Sequence, residues 1–179
     1  MASSKSEQLK TLYQSYAHEF PEVKSIRASE LHAELEEDKD SSKIILIDVR
    51  TAEEQKVSRL PGNVLTKEEF EICKQRYLNS PLVTYCTAGV RSGRYAKVLQ
   101  EEGFKNVRNF EGSILAWTQA GYPLVTPDQE ATKQVHVCAE QWALQGDDYK
   151  PVWFSGLKGA LLAVGGWGSN IWKKAFGKK

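Results

Sequence analysis

The run Lys43-Ile44-Ile45-Leu46-Ile47-Asp48-Val49 is almost wholly apolar and β-branched, and it is too short for an ordinary helix. That combination reads as a strand buried on both faces, and such strands belong to sheets covered by helices on either side. The flanking sequence supplies the covers. Ser29 stands as an N-cap for a helix over residues 30–37, with Leu31 and Leu35 on one face. Residues 51–58 are polar, a helix or a loop, and Pro61-Gly62 marks a turn. Residues 67–77 place Phe70, Cys73 and Tyr77 on one helical face, which predicts Cys73 in the core. A second strand over 82–85 leads to a helix from Ser92 to about Glu102 that buries Tyr95, Ala96, Val98 and Leu99 and ends at Gly103. Residues 104–110 are a short strand region, and Ser113 caps a helix carrying Ile114, Leu115 and Trp117. Strands and helices alternate from Ile26 to Val125. The predicted fold class is therefore α/β, a doubly wound parallel sheet flanked by helices, with ligands at the carboxyl ends of its strands.

Segments flank this unit on both sides. Leu9, Leu12, Tyr13, Tyr16 and Phe20 recur at helical spacing and Pro21 follows as a stop, so an amphipathic helix is expected to pack on the domain. The organisation predicted is an N-terminal helix over 1–22, the α/β domain over 23–126 and a C-terminal extension over 127–179 rich in Trp, Gly and Lys. Within the extension, residues 134–142 carry Val135, Val137, Cys138 and Trp142 and read as a further element packed on the domain. Beyond Asp148 no acidic residue occurs, while Lys150, Lys158, Lys173, Lys174, Lys178 and Lys179 do. Residues 152–172 are long enough for a membrane span, but Lys158, Ser169, Asn170 and five glycines weaken that reading. Trp153, Trp167 and Trp172 either cover an apolar face of the domain or lie at a membrane surface beside the lysines. Contact with a membrane surface or a protein through this tail stays open.

Cys86 closes the strand 82–85. Thr87-Ala88-Gly89-Val90 then leads to Arg91, Ser92 and a helix. A thiol at such a junction faces backbone N–H groups and the positive end of a helix dipole, which stabilise a thiolate and an anion bound beside it. Cys86 is thus the candidate nucleophile. Thr87 and Ser92 add hydroxyl donors, Ala88 and Gly89 leave room for close approach, Val90 completes the loop, and Arg91 supplies a fixed positive charge. Asp48 and Arg50 lie at a neighbouring strand end as supporting residues. Asp48 is expected to orient the loop through hydrogen bonds, and Arg50 to pair with a carboxylate such as Glu54. Arg94 either lines the pocket mouth or is solvated, and His18, His32 and His136 are assigned surface or packing roles.

Three blocks of sequence, in order over roughly a hundred residues, resemble the single-domain rhodaneses, a sulfurtransferase family. They are Asp48-Val49-Arg50-Thr51-Ala52-Glu53-Glu54 with Leu60-Pro61-Gly62, then the loop from Cys86 to Arg91, then Gly103-Phe104-Lys105-Asn106-Val107 through Gly112-Ser113-Ile114-Leu115-Ala116-Trp117 to Ala120-Gly121-Tyr122-Pro123. The resemblance implies a rhodanese-like fold in which Cys86 takes a sulfane sulfur from a small anionic donor such as thiosulfate. The persulfide would pass it to a thiophile such as cyanide or to a small or protein thiol, with no metal or organic cofactor. Cys138 is expected to be a packed thiol, with resolution of the Cys86 persulfide as the alternative. The chain departs from the family pattern where Arg59 replaces a common histidine, Ser58 a glycine, and Asn63-Val64-Leu65-Thr66 a small-residue strand start.

Other readings use the same residues. Cysteine phosphatases and arsenate reductases of related fold resemble a pattern with five residues between Cys and Arg, a loop large enough for phosphate. Here four intervene, which favours sulfur. A binding module docked through its tail is a further alternative, and the presence of Cys86 argues against an idle scaffold. A formal net charge of +1 does not suggest nucleic acid. Three widely spaced cysteines, Cys73, Cys86 and Cys138, fit neither a disulfide framework nor a zinc site. With no apolar signal-like run in residues 1–19, the expectation is a cytoplasmic protein, peripheral membrane attachment being left open.

Overall fold

The computed structural model describes residues 3–37 and 43–153. Strands β1 (Lys24–Ile26), β2 (Ile45–Asp48), β3 (Val64–Thr66), β4 (Leu82–Tyr85) and β5 (Val107–Phe110) form one parallel sheet in the order β1-β5-β4-β2-β3. The expected doubly wound α/β architecture is what the chain adopts. Side chains alternate across the strands, so each face of the sheet has its own apolar layer. Leu46, Val83, Tyr85 and Phe110 pack with Leu31 of α2 (Ala28–Glu37) and with Ile114, Leu115 and Trp117 of α6 (Ser113–Gln119). On the opposite face Ile45, Ile47, Leu82 and Val107 meet Phe70 of α4 (Lys67–Cys73) and Tyr95, Ala96 and Leu99 of α5 (Val90–Glu101). The substituted segment before Thr66 does not divert the chain: β3 pairs with β2, Leu46 opposite Val64 and Asp48 opposite Thr66.

Several helix ends differ from their sequence readings for local reasons. Helix α2 begins at Ala28, so Ser29 lies inside it, and the Glu30 carboxylate accepts the Arg27 N–H at 2.9 Å. Residues 51–58 resolve as helix α3 (Ala52–Val57), started by a reciprocal capping box between Thr51 and Glu54. After Cys73 the chain tightens into a 3-10 turn, Lys74–Tyr77. Tyr77, in that turn, stacks on Phe70, whereas Cys73 is only half-buried, not in the core, its thiol donating to the Glu69 carbonyl at 3.3 Å. Val98 faces solvent, because the buried stripe of α5 runs through Ser92, Tyr95, Ala96 and Leu99. Gly112, with φ 71°, rather than Ser113, holds the N-cap position of α6; the Ser113 hydroxyl is engaged elsewhere.

Helix α1 (Lys5–Ala17) buries Leu9, Leu12, Tyr13 and Tyr16, with Phe20 just beyond it, so the predicted stripe packs on the domain. The seat is close. A Cβ placed on Gly93 of α5 would lie 2.4 Å from the Phe20 ring. Gly93→Ala is therefore expected to cost roughly 1–3 kcal/mol through overpacking, read as a lower urea midpoint; an unchanged midpoint would show that this contact is loose. After α6 the chain adds β6 (Leu124–Val125) antiparallel to β7 (Ala131–Thr132), and β8 (Gln134–His136) parallel to β9 (Lys150–Val152). Val135, Val137 and Trp142 are buried, so residues 134–142 do pack on the domain as expected. Trp153 is 41% exposed, and the readings on Lys158, Trp167, Trp172 and the terminal lysines lie outside the described residues. Among the described residues no helix is long and apolar enough to cross a membrane.

Candidate active site

Strand β4 has neighbours on both sides, and Cys86 follows directly from its carboxyl end. The loop after it is pinned from outside. Ile114 and Leu115 N–H, at the start of α6, bond the carbonyls of Cys86 and Thr87 at 3.3 and 3.2 Å. The Ser113 hydroxyl accepts the Cys86 N–H at 3.0 Å and donates to the Phe110 carbonyl, also at 3.0 Å. Asn109 of β5 donates its Nδ2 to the Gly89 carbonyl at 2.9 Å and accepts the Ser92 hydroxyl at Oδ1, 2.7 Å away. Its Nδ2 also lies 3.2 Å from the Tyr13 hydroxyl, which pairs in turn with Ser25 at 2.9 Å. With the loop carbonyls drawn outward, the N–H groups are left for the thiol: Gly89 donates to Cys86 Sγ at 3.1 Å, and the Ser92 hydroxyl lies 3.6 Å from it.

Gly89 makes this turn possible. Its φ of 94° belongs to the left-handed region, and a Cβ there would fall 2.9 Å from the Tyr13 ring and 3.0 Å from the Phe110 carbonyl. Helix α5 starts at the next residue and directs its positive end at the sulfur. Burial alone would push the Cys86 thiol up. The charge of Arg91, the hydroxyl and amide of Ser92 and the Gly89 amide outweigh it, and the pKa is lowered on balance.

Arg91 does not stand alone over the thiol. It makes a two-pronged pair with Glu54, Nη1 to Oε2 at 2.9 Å and Nη2 to Oε1 at 2.7 Å, and also donates to the Thr87 hydroxyl at 3.0 Å. Thr87 passes its own hydrogen to Glu54 Oε1 at 3.1 Å. Burial would raise the Glu54 carboxyl, but the Arg91 charge, with His136, holds it well below the usual carboxylate range. The expected Arg50–Glu54 pair is therefore replaced. Arg50 is buried against Asp48, with Nε and Nη2 at 2.9 and 2.7 Å, and it also holds the Ser58 carbonyl at 2.7 Å. Asp48 accordingly binds Arg50 and its backbone N–H rather than orienting the cysteine loop. Arg50 and Asp48 lock the turn after β2, two strand-end residues satisfying each other. Of the two readings for Arg94 the solvated one holds: its side chain is exposed and pairs with Glu19 at 2.5 Å beyond α1. Arg59 joins Val125 in an isolated bridge and reaches Gln55 at 3.3 Å.

Residues beyond the predicted set reach this site. Strand β8 packs on α3, with Val135 turned to the core and His136 to the other face, and Cys138, just past the strand, is half-buried beside the core. His136 is buried with Nδ1 3.6 Å from Glu54 Oε1. Glu54, His136 and Cys138 each offer a donor atom within 4.8 Å of the other two. Such a trio suits a divalent ion, but Arg91 already occupies both Glu54 oxygens. The capping pattern Thr51-x-x-Glu54 and the i, i+2 spacing of His136 and Cys138 were the sequence signals for these residues. Asn109, a polar residue on a buried strand, was the signal for the loop anchor.

Comparison with known proteins accords with this geometry. The rhodanese-like domain model matches residues 28–120, more than half of the chain. A sulfurtransferase of Allochromatium vinosum is 32% identical over 95 residues, covering 50% of this chain and 85% of that protein. A tRNA uridine(34) hydroxylase of Chlamydia abortus is 33% identical over 107 residues, 54% of this chain but only 32% of that protein, so the chain spans about a third of the hydroxylase. Among solved structures, a rhodanese-like domain protein from Staphylococcus aureus is 30% identical with a TM-score of 0.45, covering 53% of this chain and 91% of that one. Strand order, cysteine loop and sequence match agree: the chain belongs to the rhodanese-like domain family.

Proposed function

We propose that the protein is a sulfurtransferase in which Cys86 carries a sulfane sulfur as a persulfide. The observation that carries this reading is the environment of the Cys86 sulfur, a thiol of lowered pKa held by the Gly89 N–H at 3.1 Å at the head of α5. In the forward step the thiolate attacks the outer sulfur of a donor such as thiosulfate. A Cys86 Sγ–S bond forms, the donor's S–S bond breaks, and sulfite leaves with the electron pair. A thiophile, cyanide or a thiol, then attacks the outer sulfur and restores the thiolate. The amides of Thr87, Ala88, Gly89, Val90 and Ser92 stabilise the negative charge on the thiolate and on the persulfide. Arg91, neutralised in part by Glu54, keeps a positive field at the loop, and Thr87 links that pair to it. The four-residue spacing between Cys86 and Arg91 and the engagement of Arg91 by Glu54 speak for a small sulfur anion over a phosphate ester.

The test is the intact mass after thiosulfate treatment and removal of excess donor. One added sulfur mapped to Cys86 is expected, discharged by cyanide; no addition with any sulfane donor would overturn the reading.

A further inference from the structure

The extension brings a second thiol to the rim of the cysteine loop, and we propose that Cys138 is the first acceptor of the sulfur held on Cys86, making this a two-thiol relay within one chain. The inference rests on the persulfide reading above. Four placements support it. Cys138 lies outside the matched family region, 28–120, just past the end of β8 and half-buried beside Val135 and Val137. Its sulfur lies within 4.8 Å of a Glu54 carboxylate oxygen, and Glu54 accepts the hydroxyl of Thr87, the residue directly after Cys86, at 3.1 Å. The same Glu54 holds Arg91 through both carboxylate oxygens, at 2.9 and 2.7 Å, so the guanidinium of the cysteine loop and Cys138 flank one carboxylate. The buried imidazole of His136 lies within 4.8 Å of the Cys138 sulfur and 3.6 Å from Glu54. A persulfide lengthens the Cys86 side chain by an S–S bond of about 2.05 Å, which brings the sulfur to be transferred nearer the rim.

The step balances without an external oxidant or reductant. Cys138 gives its proton to His136, and the imidazolium is stabilised by the Glu54 carboxylate. The Cys138 thiolate attacks the outer sulfur of Cys86–S–SH; the bond from Cys138 Sγ to that sulfur forms, the Cys86 S–S bond breaks, and its electron pair stays on Cys86 as thiolate. Cys138 then holds the persulfide. Burial pushes the Cys138 thiol up to about 11, so at neutral pH it is protonated and needs a base beside it, which is the place His136 occupies. Cys86, with its lowered pKa, is the better leaving group of the two.

The experiment uses the full-length protein loaded with thiosulfate, quenched over time with an alkylating agent that traps persulfides, and digested for mapping. Wild type is expected to show sulfur first on Cys86 and then on Cys138. Cys86→Ser should show it on neither. Cys138→Ser should hold it on Cys86 and discharge it to a thiol such as glutathione roughly tenfold or more slowly. Label on Cys86 but never on Cys138, with wild-type discharge in Cys138→Ser, would overturn the relay and leave the sulfurtransferase reading standing. A Cys86–Cys138 disulfide with release of sulfide would also overturn it, since that product comes from attack on the inner sulfur. Absence of label on Cys86 itself would defeat the underlying reading.

Discussion

Serine in place of Cys86 is expected to lower the proposed sulfur transfer from thiosulfate to cyanide by roughly three orders of magnitude or more. The site is arranged around a thiolate, and the field that ionises a thiol does not ionise an alcohol. Serine also forms no S–S bond, so the proposed persulfide would be lost outright rather than weakened. The fold should survive, because a serine oxygen can still accept the Gly89 N–H that now reaches Sγ at 3.1 Å. The measurement is thiocyanate formation beside a urea titration of the same preparation. A variant with an unchanged midpoint and undiminished turnover would place the nucleophile elsewhere.

Glu54→Ala is expected to lower stability by about 3–5 kcal/mol, the range for breaking a buried ion pair from one side. Glu54 is 2% exposed and receives Arg91 twice, the Thr87 hydroxyl and the edge of His136. Its removal strands a buried guanidinium beside the cysteine loop, so activity should fall with stability. Glu54→Gln keeps the shape and one carbonyl oxygen, and its loss should be smaller. The same carboxylate gives an acid dependence of known sign. Its folded pKa is depressed, so its contribution is fully present above the unfolded value of about 4.3 and is lost as pH falls below it. Wild type should therefore lose more stability than Glu54→Gln between about pH 5 and pH 3. Parallel losses in the two proteins would remove Glu54 as the cause.

Most of the fold was legible because the buried strands announce themselves. Ile45–Asp48 and Leu82–Tyr85 are fully buried runs with no competing helical period, and the cysteine loop follows from where the second of them stops. The stripe Leu9, Leu12, Tyr13, Tyr16, Phe20 was equally plain. The charge pairing was not. Arg50, Arg91, Asp48 and Glu54 permit more than one pairing, and only the three-dimensional placement of α3 against the loop gives Arg91 to Glu54 and leaves Arg50 to Asp48. Ser113 looked like a helix cap because serine is a good one, yet Gly112 with positive φ turns the chain and frees the hydroxyl for the Cys86 amide. His136 was assigned a surface or packing role, and the nearness of Cys138 to Glu54 was not foreseen, for a third reason. Short alternating stretches show that one face is buried, but not which distant loop the other face will meet.

The sheet order has a further consequence for motion. Cys86 is mounted on β4, whose backbone is hydrogen-bonded to β2 on one side and β5 on the other. Amides there open only with the whole domain and should be the last to exchange with deuterium. Cys138 follows β8, one of a pair of three-residue strands, β8 and β9, that form a separate two-stranded sheet. Such a small ladder opens at much lower free energy than a central strand. The two thiols thus sit on parts of the molecule with different lifetimes, and a local opening of β8 and β9 is expected to shift Cys138 without disturbing the strand that carries Cys86.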